Sequence, residues 1–152
     1  ILVPVDGSPT SNRGLEEAAK LAALCGARLR LVHVVDEMSL ALAMDAYSGY
    51  VGDWLTVLRN AGRQLLEQSL AIVKAAGAEA DTRLFDNFSG SINDLILHEA
   101  EHWNADLIVL GTHGRRGPKR WVLGSTAEQI VRASPVPVLL VRAPAQAPVA
   151  SG

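Results

Sequence analysis

LIVLGTHGRRGPKRWVLGST, residues 107–126, joins an apolar strand to a helix through a loop rich in glycine and positive charge. Residues 107–110 are a continuous aliphatic run, which is typical of a strand buried on both faces of a parallel sheet. Gly111 follows at once, and Gly124 with Ser125 begins a helical pattern. A strand, a glycine-containing turn and a helix in this order indicate one unit of an α/β fold.

The rest of the chain repeats this alternation of strand and helix. Short aliphatic or β-branched runs predict strands at residues 1–5, 29–35, 82–85, 107–110 and 136–141. Helical spacing of apolar residues predicts helices at residues 11–25, 53–76, 91–103 and 125–133. Residues 38–52 have no clear pattern. Because strands that alternate with helices are joined by βαβ crossovers, we expect a mainly parallel sheet with both faces covered by helices.

The size and composition of the chain limit the classes of protein to which it can belong. A chain of 152 residues is long enough for one domain and short for two. A net charge of −2 argues against a general nucleic-acid-binding protein, and no apolar run approaches the ~20 residues of a membrane span. The single cysteine, Cys25, cannot form an internal disulfide, so we expect a cytoplasmic protein. Cys25 lies on the apolar face of its helix, so we expect it to be a small core residue.

The loop before the last helix has the chemistry of a phosphate-binding site. Gly111 and Gly114 lack Cβ atoms where the backbone has to turn and approach a ligand, and Gly124 opens a helix whose N–H groups attract anions. The loop also offers positive charge for a polyphosphate, from Arg115, Arg116, Lys119 and Arg120. The spacing is neither that of a P-loop nor the dinucleotide-binding G-x-G-x-x-G. A surface turn with solvated charges, followed by an ordinary capped helix, is the alternative.

The chain resembles the universal stress protein family, in its ATP-binding branch. Gly111-x2-Gly114-x9-Gly124-Ser125 is similar to the nucleotide-binding signature of that family, and further similarity lies in residues 3–8, 31–36, 105–114 and 134–141. The resemblance implies a five-stranded parallel α/β fold of the adenine-nucleotide-binding, Rossmann-like kind, with strand order 3-2-1-4-5. It further implies a single domain over residues 1–142 and a homodimer through the last strand, Val136 to Val141. The Ala- and Pro-rich tail, residues 143–152, is expected to fray.

The resemblance also implies a binding site for ATP, with Mg²⁺ held through the phosphates and not directly by a protein side chain. Asp6 matches the acidic residue that lies near the ribose and the metal-bound phosphates. The implied contacts to the base are Pro4, Val5 and the backbone of Val34. The remaining implied contacts lie at the base, the ribose and the phosphates and involve Leu110, Gly111, Gly114, Arg115, Arg116, Gly124, Ser125 and Thr126. At the last of these positions an apolar residue is common in the family.

Two of these assignments have a competing interpretation from the residues alone. Asp6-Gly7-Ser8 is good turn chemistry, so Asp6 could serve only a turn. Pro4 lacks the N–H that a central strand uses, so the sequence alone would end the first strand there. For Asp6 we favour the site, because ligands of parallel sheets bind at the carboxyl ends of the strands.

Three functional classes are compatible with such a site. The first, which we favour, is a nucleotide-sensing regulatory module in which bound ATP and Mg²⁺ alter a surface for an unknown protein partner. The second is a slow ATPase, although neither Asp6 nor His113 is paired with an orienting group and no general base is evident. The third is an interaction protein with an unused loop, which the intact glycines disfavour. His33 and His113 are predicted to be structural or loop residues.

One further motif matches a metal site by its spacing alone. His98-Glu99-Ala100-Glu101-His102 has the H-E-x-x-H pattern of zinc proteases. The apolar residues of this helix define a buried face that turns His98 toward solvent and places His102 at the boundary. No third ligand is evident downstream. We therefore predict that the motif does not bind zinc.

Overall fold

The computed structural model describes residues 1–35, 51–86, 90–112 and 123–142. The predictions for Gly114, Arg115 and Arg116, for His113 and for the tail at 143–152 lie outside the described residues. The elements, in chain order, are β1 (Leu2–Pro4), α1 (Pro9–Cys25), β2 (Arg28–Val34), α2 (Val51–Ala75), β3 (Glu79–Phe85), α3 (Ile92–His102), β4 (Ile108–Gly111), α4 (Ser125–Ala133) and β5 (Val138–Val141).

The strands form one five-stranded parallel sheet in the order β3-β2-β1-β4-β5, which confirms the predicted fold class and strand order. In register, Leu2 of β1 lies beside Arg30 of β2 and Ile108 of β4, and Ile108 lies beside Val138 of β5. The chain builds outward from β1 to β3 and then returns to the other side of β1 for β4. The direction of winding therefore reverses between β1 and β4, which is where open α/β sheets bind ligands.

Helices cover both faces of the sheet, as predicted. Since successive side chains of a strand point to opposite faces, Leu2 and Val3 enter different hydrophobic clusters. The cluster that contains Val3 includes α1 and α2, through Leu15, Ala18, Ala19, Leu66 and Val73. The cluster that contains Leu2 includes α3 and α4, through Ile96, Ala100, Ala127 and Ile130. Among the described residues, no helix is both long enough and apolar enough to cross a bilayer.

The largest difference from the predicted boundaries lies in β3, and the other edge strand, β5, starts two residues after its predicted start. β3 begins at Glu79 and not at residue 82. The prediction missed these first residues because Glu79 and Asp81 are exposed at the sheet edge and show no apolar pattern. β5 begins at Val138 and not at residue 136. Pro137 cannot donate a ladder hydrogen bond, although its carbonyl oxygen accepts one from the amide of Ile108 at 3.0 Å.

Pro4 lies in a central strand because its missing N–H falls on one particular side. The amide of Leu2 donates to Leu107, on the β4 side, and the amide of Val5 donates to Val32, on the β2 side. Alternation along the strand therefore directs the Pro4 nitrogen toward β4. The register of β1 with β4 is given by Leu2 and Ile108, before this point. The proline thus ends the pairing at the place where the winding of the sheet reverses.

The prediction that Cys25 is a core residue is wrong. Cys25 is exposed, because the last turn of α1 passes beyond the amino edge of the sheet that the rest of the helix covers. The side chain lines an open cavity of about 400 Å³ together with Leu21, Arg28 and Trp103. This cavity lies at the amino ends of the strands, opposite the edge at which ligands of parallel sheets bind.

A buried ion pair joins α3 to the sheet. The Arg30 guanidinium donates to Oε1 of Glu99 at 2.7 Å and to both carboxylate oxygens of Asp81, at 2.6 and 2.9 Å. The guanidinium carbon also lies 4.9 Å from the ring centroid of Trp103. The Glu99 side chain is only 4% exposed, whereas that of Asp81 is 48% exposed. Hydrogen bonding to Asp81 raises the pKa of Arg30, so the guanidinium remains charged.

Replacing Arg30 by methionine is expected to destabilise the fold by about 2 kcal/mol, because it leaves a buried carboxylate without its main partner. The loss is smaller than for a fully isolated charge, since Arg83 still lies 3.9 Å from Glu99. The control Asp81→Asn removes the exposed partner and is expected to cost less than ~1 kcal/mol. Urea denaturation of both variants measures the difference. Equal losses would show that burial of Glu99 does not determine the effect.

Candidate nucleotide-binding site

The carboxyl edge of the sheet brings together predicted site residues from four separate parts of the chain. Because the strands are parallel, the ends of β1, β2 and β4 meet at one edge. Asp6 follows β1, Val34 ends β2 and Gly111 ends β4. Ser125, at the start of α4, lies at the same edge, because Gly124 donates to the carbonyl of Thr112 at 2.9 Å. These residues therefore surround the reversal point between β1 and β4.

Asp6 takes part in a turn that leads from β1 into α1. Its Oδ1 accepts a hydrogen bond from the amide of Ser8 at 2.8 Å, and Gly7 has a φ of 77°, which favours glycine. The Ser8 hydroxyl accepts in turn from the amide of Ser11 at 3.1 Å and caps the helix. Asp6 therefore has the turn role that its sequence indicated, and the same turn places its partly exposed carboxylate at the carboxyl edge.

Gly111 has a packing role that the sequence did not reveal. A Cβ atom built at this position would lie 2.7 Å from the backbone carbon and oxygen of Thr10 and 2.9 Å from the amide nitrogen of Ser11. The first turn of α1 therefore presses directly on the end of β4. Gly14 completes the contact from the helix side, since its Cβ would lie 3.2 Å from the Gly111 nitrogen. Helix packing is enough to require glycine at position 111, before any ligand is considered.

The two ends of the glycine-rich loop are tied together. Thr112 donates its amide to Val141 and accepts from Gly124, both at 2.9 Å, so the start of α4 is anchored to the ends of β4 and β5. Gly124 is the N-cap residue of α4, with φ −60° and ψ 145°, and provides no side-chain capping hydrogen bond. The side chains of Ser8 and Ser91 do cap α1 and α3. The first turn of α4 thus offers backbone donors at the positive end of a helix dipole.

The predicted base-contacting residues differ in what they can present to a ligand. The side chains of Val5 and Leu110 are buried in the two opposite hydrophobic clusters, so these residues have only backbone to offer at the edge. Pro4 and Val34 are half-buried. This distribution favours recognition of a flat ligand by backbone atoms and small surfaces over recognition by long side chains.

His33 makes a contact beside the site that sequence reasoning did not find. The residue is buried on β2, and its Nδ1 lies 2.7 Å from the carbonyl oxygen of Val5. Helix α2 packs against the ring at Gly62, whose Cβ would lie 2.9 Å from the His33 Cδ2. Its place immediately before Val34 was the sole sequence signal, and the prediction that His33 is structural did not include this partner.

The H-E-x-x-H motif on α3 is divided between the interior and the surface. Glu99 is buried and bonded to Arg30, whereas His98 and His102 are both exposed, with their rings stacked 6.1 Å apart. His98 faces solvent as predicted, and His102 lies further out than the predicted boundary position. Within the four described ranges, no three His, Cys, Asp or Glu side chains are grouped to hold a metal ion.

Comparison with known proteins identifies the family. The profile of the universal stress protein family matches residues 1–142. A universal stress protein from Methanocaldococcus jannaschii is 31% identical over 147 residues, which cover 95% of this chain and 82% of the relative. The structure of a universal stress family protein from Burkholderia pseudomallei is 30% identical, with a TM-score of 0.71 over 93% of this chain and 94% of that one.

One similar solved structure contains a nucleotide. A universal stress protein in complex with cAMP is 25% identical and superposes with a TM-score of 0.64, covering 93% of this chain and 94% of the other. The fold, the family profile and the relatives agree. The chain belongs to the universal stress protein family.

Proposed function

We propose that this protein binds an adenine nucleotide, ATP with Mg²⁺, at the carboxyl edge of its sheet and acts as a nucleotide-sensing regulatory module of the stress response. The observation that carries the proposal is the meeting of Asp6, Gly111 and the start of α4, whose N-cap residue Gly124 has no side chain, at the reversal point between β1 and β4. An acidic group and a set of backbone donors at one crevice suit a ligand with a ribose and phosphates. The family member in complex with cAMP supports the choice of an adenine nucleotide.

The residues at the edge fit this ligand chemically. Ser125 and Thr126 follow an N-cap residue without a capping side chain, so their amides and hydroxyls are placed to donate to phosphate oxygens. Asp6 would interact with the ribose or with Mg²⁺ carried by the phosphates. Val34 would present its backbone to the base. Gly114 belongs to the proposal through the family signature, and Arg115 and Arg116 through their positive charge, as further phosphate contacts. Bound Mg²⁺ would neutralise phosphate charge.

The proposal assigns binding rather than turnover. Among the described residues, His33 lies beside Asp6, but its ring is buried against Gly62 of α2 and is not exposed to a ligand as a general base. We propose that a regulatory protein partner recognises the nucleotide-bound form. We propose that this happens in the cytoplasm, because the single cysteine cannot form the internal disulfide that is common in secreted domains.

Calorimetric titration of the purified protein tests the proposal. We expect ATP to bind with a dissociation constant in the micromolar range or lower, with tighter binding when Mg²⁺ is present, and CTP to bind more weakly. Mass spectrometry of gently prepared protein identifies any nucleotide that co-purifies. If neither ATP, ADP, AMP nor cAMP binds at millimolar concentration, the proposed function is wrong.

We further propose that the protein is a homodimer through its last strand. β5 is an edge strand, and the side chains of Leu139 and Leu140 are 40% and 36% exposed. An exposed apolar edge strand pairs readily with another strand unless something covers it. A second copy related by a two-fold axis would lie antiparallel to β5 and bury both leucines in a self-complementary interface. Pro137 offers no amide, so side-chain burial would contribute much of the stability.

Replacing Leu139 and Leu140 together by lysine is expected to convert the dimer to a folded monomer, because each copy would bring charges into the interface. These positions are better suited to the test than Val138, which packs against the cluster of α3 and α4. The control Val57→Lys changes an exposed residue of α2, which packs on β2 and β3 at the other side of the sheet. Sedimentation velocity measures the outcome. A wild-type protein that is monomeric at micromolar concentration contradicts the proposal.

A further inference from the structure

The peptide group between Val5 and Asp6 is held at both of its polar atoms by side chains. Its carbonyl oxygen lies 2.7 Å from Nδ1 of His33, and its N–H donates to the hydroxyl of Ser11 at 3.1 Å. These two side chains come from β2 and α1, on either side of the chain that leaves β1. Both are largely buried, with His33 8% exposed and Ser11 6% exposed.

The chemistry of the contact shows which ring nitrogen donates to Val5. A carbonyl oxygen only accepts hydrogen bonds, so the short distance to Val5 requires the proton on Nδ1 of His33. The ring cannot easily move away, because Gly62 of α2 closes its other side, where even a Cβ would come within 2.9 Å. His33 is therefore a fixed donor aimed at the last peptide group before Asp6.

The two side chains replace the sheet ladder at the point where it stops. The amide of Val5 makes the last backbone hydrogen bond from β1 to β2, to the carbonyl of Val32 at 2.8 Å. Beyond it, the orientation of the chain depends on His33 and Ser11. With its preceding peptide plane fixed, the direction of the Asp6 carboxylate depends on its own φ and side-chain torsions and on the hydrogen bond that its Oδ1 accepts from the Ser8 amide.

We propose that His33 is a positioning residue for Asp6. By holding the Val5 carbonyl, the Nδ1–H of His33 sets the direction of the Asp6 carboxylate toward the ribose or the phosphate-bound Mg²⁺. Val34 directly follows His33, so the same contact links the end of β2, which is proposed to meet the base, to the chain that carries the carboxylate. This inference rests on the proposed function for its ligand. The contact of His33 with the Val5 carbonyl can be tested in the absence of any ligand.

A matched pair of substitutions isolates the hydrogen bond. His33→Asn keeps an N–H donor on the atom bonded to Cγ, where Nδ1 stands, and His33→Leu has nearly the same volume without a donor. We expect His33→Leu to weaken the binding of Mg²⁺-ATP about tenfold, the usual order for a lost buried hydrogen bond, and His33→Asn to restore most of the affinity. Equal losses in the two variants would overturn the positioning role.

A double-mutant cycle with Asp6→Ala separates positioning from general damage to the fold. If His33 acts through Asp6, His33→Leu loses its effect on Mg²⁺-ATP affinity once the carboxylate is gone. The same tenfold loss in both backgrounds would mean that His33 acts only as a structural residue. If His33→Leu does not fold, Ser11→Ala removes the other contact to this peptide group and is expected to show the same dependence on Asp6.

Amide hydrogen exchange in the nucleotide-free protein tests the contact independently of binding. We expect the Asp6 amide to exchange about tenfold faster in His33→Leu than in His33→Asn, because in the first variant the peptide group keeps only its hydrogen bond to Ser11. Unchanged exchange would overturn the contact. If the wild-type protein binds no adenine nucleotide but the Asp6 amide responds as expected, the proposed function fails and the role of His33 in fixing this peptide group stands.

Discussion

Replacing Ser125 by glutamate is expected to lower the affinity for Mg²⁺-ATP by about 100-fold without destabilising the fold. Ser125 is the first residue of α4, where a carboxylate interacts favourably with the helix dipole by about 0.3–1 kcal/mol. The same carboxylate would lie beside the phosphates. Two like charges about 4 Å apart at a protein surface repel by up to ~4 kcal/mol, and about 2.7 kcal/mol of this corresponds to 100-fold in affinity.

The neutral variant Ser125→Gln is the matched control. Glutamine has nearly the same size as glutamate and also lacks the serine hydroxyl, but it carries no charge. The Ser125→Gln variant is therefore expected to lose less than about tenfold in affinity. Calorimetry gives both affinities and thermal unfolding gives both stabilities. The difference between the variants should shrink as salt rises, because Ser125 is exposed and its charge is screened. Full affinity in both variants would show that the phosphates do not lie at the start of α4.

Replacing Gly111 by alanine is expected to destabilise the protein by about 3 kcal/mol, the upper part of the range for overpacking a tight contact. The added methyl group would lie 2.7 Å from backbone atoms of Thr10, which cannot move aside as a flexible side chain can. Either α1 or the end of β4 must then shift. Since Asp6 is bonded to Ser11 in that same turn, the shift should also weaken nucleotide binding.

Gly14→Ala adds a methyl group to the same contact from the other side. Its Cβ would lie 3.2 Å from the Gly111 nitrogen, a smaller conflict, and alanine gains about 1 kcal/mol of helix propensity over glycine. We therefore expect this control to stay within about 1 kcal/mol of wild type in urea denaturation. A Gly111→Ala protein of wild-type stability that fails to bind nucleotide would instead assign this glycine to the ligand alone.

Element boundaries were predicted well from the sequence where burial sets the apolar pattern, and less well in the edge strands. The continuous aliphatic run of β4 and the Gly-Ser start of α4 gave boundaries within a residue, because both elements pack into a core from fixed sides. The strand order came from the family resemblance and not from periodicity. β3 was underestimated because its exposed polar side chains hide the period of a strand. Cys25 was misplaced because a helical pattern does not show where the sheet beneath it ends.

The candidate site was predictable in its location but not in its construction. Parallel strands bring Asp6, Val34 and Gly111 to one edge, which follows from topology alone. The contact of His33 with Val5 depends on side-chain direction and on the space left by Gly62, and neither is visible in a one-dimensional pattern. The close contact of Gly111 with the first turn of α1 could not be predicted for the same reason. Single residues at close helix-to-strand contacts are therefore what sequence reasoning misses here.

Pro4 has a kinetic consequence for any ligand that enters between β1 and β4. If backbone hydrogen bonds joined β1 and β4 along their whole length, a ligand could bind at this crevice only after some of those hydrogen bonds had broken. Here the chain itself lacks the donor that would join the two strands beyond Leu2 and Ile108. A ligand that binds at this crevice would therefore find it preorganised, and its association would require no local unfolding of the sheet. We expect association rates to be governed by diffusion, with a weak dependence on agents that loosen the sheet.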